Sequence, residues 1–134
     1  MQNVTDRTRN PFGMRPDCES VVPGYGDANA DFHVIGDHPG IHGGADTGVP
    51  FTGEPWSGAF LSALAEGGLI AGFDDGSAAD GPETTDPIAA DRTFFSYLHM
   101  CVADGVPDDA SYDDMERFFD AELRAIAAHV LLPV

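Results

Sequence analysis

The stretch that decides the fold runs Val34-Ile35-Gly36-Asp37-His38-Pro39-Gly40-Ile41-His42-Gly43-Gly44-Ala45-Asp46-Thr47-Gly48-Val49-Pro50-Phe51-Thr52-Gly53. It opens as the end of a near-continuous apolar run, Asp31 to Ile35. Such runs mark strands buried on both faces, as in parallel sheets. The chain then breaks into a loop with five glycines before Gly53, two prolines, two histidines and two aspartates. An apolar helical pattern follows from Trp56 to Leu64. A buried strand, a Gly/Pro-rich loop and a helix in succession make the place where α/β sheets hold ligands, at the carboxyl end of the strand. The loop is too long and too polar to be only a connection.

Outward from this stretch the chain reads as alternating elements. Upstream, residues 1–10 read as a mobile polar tail, and Asn10-Pro11-Phe12-Gly13, Arg15-Pro16-Asp17 and Gly24-Tyr25-Gly26-Asp27 read as turns. Downstream, a helix is expected to start near Glu54-Pro55 and to stop at Gly67-Gly68. Asp74 to Pro87 is an acidic, low-complexity segment, expected as an exposed insertion. Arg92 to Val102 gives a second strand, rich in aromatic and β-favouring residues. A second helix is expected from an N-cap at Ser111 to about Ala128, with Met115, Phe118, Phe119, Leu123 and Ile126 as its buried stripe. His129 to Val134 gives a third strand. Strand, helix, strand, helix, strand predicts a three-layer α/β/α structure around a small parallel sheet, a single domain over residues 11–134.

Composition bounds what the chain does. It has 134 residues, 23 of them acidic, six arginines and no lysine, for a net charge of -17. Apolar content of 43% and nine phenylalanines give it a core, which argues against global disorder. An acidic, lysine-free globular chain suggests a halophilic cytoplasm, because at molar salt the screening length falls to about 3 Å. Such charge opposes a nucleic-acid partner held by counterion release alone. The absence of any long apolar run excludes a membrane-spanning helix, and residues 1–10 lack the apolar core of a signal peptide. Cys18 and Cys101 fit a reduced protein with two free buried thiols. His38 and His42 are four apart, a spacing that suits a metal only on a helix; Pro39 and Gly40 argue against a helix, so no metal is expected there. A P-loop is excluded by spacing and by the lack of lysine.

Gly36-Asp37-His38-Pro39-Gly40 followed by Gly48-Val49-Pro50-Phe51-Thr52-Gly53 resembles the paired signature of the uracil-DNA glycosylase superfamily, nearest to its archaeal and thermophilic iron–sulfur branch. The resemblance reaches upstream through Val22 to Asp27 and, more weakly, over Thr93 to Val134. It implies a glycosylase-like α/β fold and DNA, carrying uracil or another damaged base, as partner. By the same resemblance Asp37 orients water or stabilises the cationic sugar, and His38 is a second polar group of the pocket or a satisfied loop histidine. Gly36, Pro39 and Gly40 bring backbone close to DNA, Phe51 stacks the flipped base, and Tyr97 takes the place of the base-reading asparagine. A tyrosine cannot copy the amide's paired donor and acceptor. Two cysteines fall short of the four that the branch's iron–sulfur cluster needs, so no cofactor is expected. The family's further helix, fourth strand and His-Pro-Ser loop have no counterpart before Val134, so the last strand is missing or lies beyond the chain end. Two functions follow from the resemblance: a DNA glycosylase of base excision repair, or a non-catalytic base-binding module, either one expected as a monomer.

Overall fold

The structure, a computed structural model, describes residues 9–73, 88–90, 92–103 and 105–134. The acidic segment 74–87 and the first eight residues of the expected tail lie outside them. Arg9 and Asn10 belong to the fold: Arg9 bridges to Tyr25, and the Asn10 N–H donates to the Gly24 carbonyl.

The elements are β1 (Tyr25–Gly26), β2 (Phe32–Gly36), α1 (Pro39–His42), α2 (Ser57–Glu66), β3 (Gly72–Phe73), β4 (Ile88–Ala89), β5 (Thr93–Tyr97), α3 (Asp109–Ile126) and β6 (Val130–Pro133). They follow in the expected order, with four short additions: β1, α1, β3 and β4. The described residues form one four-stranded sheet in the order β1-β5-β2-β6, and β3 pairs with β4 in a small ribbon. β2 lies parallel to β5 on one side and to β6 on the other. That central place explains its apolar sequence. The expectation of a wholly parallel sheet is corrected at one edge, where β1 pairs antiparallel with β5. A two-residue strand between glycine-containing turns carries no periodicity from which it could be read.

The sheet buries both faces, as three layers require. Val34, Phe95 and Tyr97 share one face with Phe51 and with Leu61 of α2. Phe94 of β5 lies on the other face, packed with Ala30 and with Ile126 of α3. The alternation along β5 is the pleat's period of two. Each fully buried phenylalanine contributes about 1.5–3 kcal/mol, so Phe51, Phe94 and Phe95 anchor the layers.

The helix starts differ from expectation. Asp108 caps α3, its carboxylate accepting from the Ser111 N–H, and the Ser111 hydroxyl reaches His99 instead. Helix α2 begins at Ser57, because Glu54 and Pro55 form the turn before it. Helix α3 also buries a residue that its amphipathic pattern hides: Glu122 is fully buried and neither carboxylate oxygen has a hydrogen-bond partner. Burial pushes its carboxyl up to about 8, opposed by the nearby Gly24 backbone. His33, equally buried in β2, bonds Ser96 Oγ through Nε2 at 2.6 Å, and burial lowers it to about 4.

Cys18 and Cys101 are joined by a disulfide across 83 residues. This corrects the reading of two free thiols. Val21 pairs with Cys101 in an antiparallel bridge, and the Val22 N–H donates to the Met100 carbonyl at 2.7 Å. That pairing brings the two Cα atoms to 6.1 Å, inside the range a disulfide spans. Nothing local to either cysteine announces it.

Two outcomes are expected. Cys18→Ser with Cys101→Ser should lose about 2–4 kcal/mol of unfolding free energy, and reductant should destabilise the parent chain but not this variant. For Glu122, the folded state holds a proton that the unfolded state releases from its ordinary 4.5 upward, so stability falls as pH rises. Glu122→Gln should therefore gain on the parent by roughly 1.4 kcal/mol per pH unit between about pH 4.5 and 8. Urea titrations across that range would show a flat difference if this is wrong.

Candidate functional site

The site loop leaves β2 at Gly36, and the parallel pairing with β5 continues past it. The Leu98 N–H donates to the Gly36 carbonyl and the His99 N–H to the Asp37 carbonyl, each at 3.0 Å. Asp37 therefore stands at the carboxyl end of the central strand, at a fixed height in the sheet. Gly36 has to be glycine: an added Cβ would sit 2.7 Å from Tyr97 Cε1 and 2.8 Å from Phe51 Cζ.

Asp37 is half-buried and held from three directions. His99 takes its carbonyl, as above. Its own N–H donates to His42 Nδ1 at 2.8 Å. Its Oδ1 accepts from the Tyr112 hydroxyl of α3 at 2.5 Å, across 75 residues. Tyr112 keeps its proton: burial of the phenol, then the bond to Asp37 and that carboxylate's charge, push it up to about 12.

Pro39 to His42 form one helical turn, α1, with Pro39 at its start. This corrects the argument against a helix here, since a proline belongs at a helix's first position. The two histidines nevertheless turn to the backbone. His38 is buried and caps α1, its Nδ1 accepting from the Gly40 N–H at 3.2 Å. His42 Nδ1 is taken by Asp37. Among the described residues no group of three or more His, Cys, Asp or Glu is placed to hold a metal. Gly40 is exposed and Pro39 buried.

Phe51 and Tyr97 are both fully buried. Phe51 stacks on Phe60 with ring centroids 4.9 Å apart and meets Tyr97 edge-on at 5.3 Å. Its backbone is left-handed, with φ 65°, an unusual state for a large side chain. The Tyr97 hydroxyl secures it by accepting the Phe51 N–H at 2.8 Å. That hydroxyl lies equally close, 2.8 Å, to the carbonyls of His42 and Gly43, which share its one proton. Burial raises Tyr97 far above an ordinary phenol, so it stays a donor. One oxygen thus ties β5 to the second motif and to the turn that follows the first.

His42 covers this aromatic floor. Its ring lies 5.5 Å from Phe51, 6.2 Å from Tyr97 and 6.3 Å from Trp56. Because Nδ1 accepts, a neutral His42 carries its proton on Nε2. Desolvation keeps the ring below the ordinary histidine value, opposed by the charge of Asp37. Sequence reasoning did not place His42 or Tyr112 beside Asp37, where the structure has them. By spacing His42 is weighed only as a metal ligand and set aside, and Tyr112 resembles any aromatic on an amphipathic helix.

The carboxylate of Asp37 and the aromatic cluster beneath it stand at the carboxyl end of parallel strands, the place where open α/β sheets hold ligands. The chain belongs to the uracil DNA glycosylase superfamily, whose family profile matches residues 23–134. It is similar to a type-5 uracil-DNA glycosylase of Thermus thermophilus, with 48% identity over 54 residues. That alignment covers 40% of this chain and 22% of the relative, so the chain spans about a fifth of that protein. The iron–sulfur cluster of the branch it resembles does not fit the residues present: the chain has two cysteines, and their sulfurs are bonded to each other.

Tyr97→Phe tests the clasp. It leaves the buried Phe51 N–H without its acceptor and two carbonyls without their donor, which costs about 1–3 kcal/mol. The expected result is a drop of that size in denaturant unfolding, with faster hydrogen exchange at the Phe51 amide. Unchanged exchange there would show that the clasp does not hold the loop.

Proposed function

We propose that this chain acts on DNA as a uracil-DNA glycosylase-like hydrolase, cleaving the N-glycosidic bond of a flipped uracil or other damaged base. The observation that carries the proposal is Asp37, at the carboxyl end of β2 with one oxygen fixed by Tyr112. Its other oxygen would orient water toward the sugar C1′. A C–O bond forms there as the C1′–N bond breaks, and the electron pair leaves with the base. Asp37 receives the proton of the water or balances the cationic sugar. The leaving base needs a donor, and the Nε2–H of a neutral His42 is the group that the site offers. Phe51 and Tyr97 form the floor behind His42, and Pro39 and Gly40 sit beside it.

In this reading the charge of -17 calls for salt. The setting we propose is a halophilic cytoplasm, where counterion release counts for little and contact with the base for more. Arg9 places its Nη1 3.8 Å from where a Cβ on Gly48 would lie, which sets a cation beside the second motif. No described helix is long and apolar enough to cross a membrane. We further propose that the chain works as a monomer.

The Tyr97 hydroxyl, spent on the backbone of Phe51, His42 and Gly43, stands where the family's base reader would be, and this altered reader keeps one competing reading, a module that holds a base without cleaving it. Incubation in molar KCl with DNA containing one uracil separates the two. Abasic sites should form and should fall by at least about 100-fold in Asp37→Ala. Retention of uracil-containing DNA without release would favour the module, and no preference for such DNA would sink both.

A further inference from the structure

We propose that Tyr112, on the first turns of α3, is a positioning residue that fixes the orientation of the Asp37 carboxylate. Its effect on activity rests on the glycosylase reading above; the contact itself does not. A carboxylate on a loop turns about its side-chain bonds, and only one orientation aims the second oxygen usefully. The hydroxyl of Tyr112 pins Oδ1 at 2.5 Å. The Asp37 backbone is fixed on both sides by His99 and His42. The side-chain bond therefore removes the freedom that remains, which is how a supporting group preorganises a reacting one.

Tyr112 is itself held. Its ring meets His99 nearly edge-on, with centroids 5.3 Å apart and planes at 69°. His99 is anchored at both ring nitrogens: Nδ1 to the Cys101 carbonyl at 3.0 Å and Nε2 to the Ser111 hydroxyl at 2.6 Å. With Nδ1 facing a carbonyl, the proton lies on Nδ1 and Ser111 donates to Nε2. The same histidine thus supports Asp37 through its N–H and Tyr112 through its ring. Ser111, adjacent to Tyr112 on α3, ties that support to the helix. These residues come from the segments just after β2 and β5 and from α3, and only folding brings them together.

Tyr112→Phe keeps the ring and removes the hydroxyl. With uracil-containing DNA in molar KCl, kcat should fall roughly 10-fold or more while KM changes less than about 2-fold. In an Asp37→Ala background the same substitution should change nothing further, because Tyr112 acts through Asp37. An equal fall in both backgrounds would overturn the proposal. A second readout needs no activity: the side-chain 13C resonance of Asp37, assigned by its loss in Asp37→Asn, should move in Tyr112→Phe at fixed pH. An unmoved resonance would show that the bond does not form in solution. If the parent chain releases no base, the glycosylase reading falls, and the resonance still decides whether Tyr112 holds the carboxylate.

Discussion

The candidate site depends on one buried hydroxyl. Tyr97 accepts the Phe51 N–H and shares its one proton between the carbonyls of His42 and Gly43. It thereby holds the second motif and the turn that follows the first against the end of β5. In a buried setting each of those backbone groups would be costly to leave unpaired. Loops with this much glycine have many conformations open to them. A single hydroxyl reaching three backbone groups selects one. It also lets Phe51 keep a left-handed backbone, which places its ring under Phe60 and against His42.

From that clasp the rest of the site follows. The register between β2 and β5 sets the height of Asp37, since its carbonyl is the last acceptor in the ladder, facing His99. Helix α3 is set against the opposite face by Ile126 and by the Ala30–Phe94 cluster. Its first turns then carry Tyr112 to the Asp37 carboxylate. The disulfide ties the segment before β1 to the residues after β5, next to the carbonyl that orients His99. Core packing, strand register and the orientation of one carboxylate are a single arrangement here.

Much of this was readable in the residues. The apolar run at β2, the aromatic run at β5 and the stripe of α3 are strong periodic signals, and they gave the layered α/β fold. The paired glycine motifs gave the family. What escaped were features with no periodic or local signature. Strand β1 is two residues long and exists because the β5 edge was open. Pro39 reads as a helix breaker but stands at a helix start. Ser111 reads as the cap of α3, but the cap stands three residues earlier, at Asp108. Glu122 lies on the apolar stripe by position although its chemistry suggests the surface.

By itself, then, the sequence determined the layered fold, the family and the place of Asp37, because hydrophobic period and glycine spacing are local properties that survive without a partner. The tertiary structure alone decided the pairing of Cys18 with Cys101, the burial of Glu122, the clasp of Tyr97 and the reach of Tyr112 to Asp37. Each of these joins residues far apart in the chain, and Tyr97, which by sequence stands where a base would be read, serves in the folded chain to hold the loops that form the site. Distance in space is set by strand register and helix packing, and no spacing along the chain encodes it.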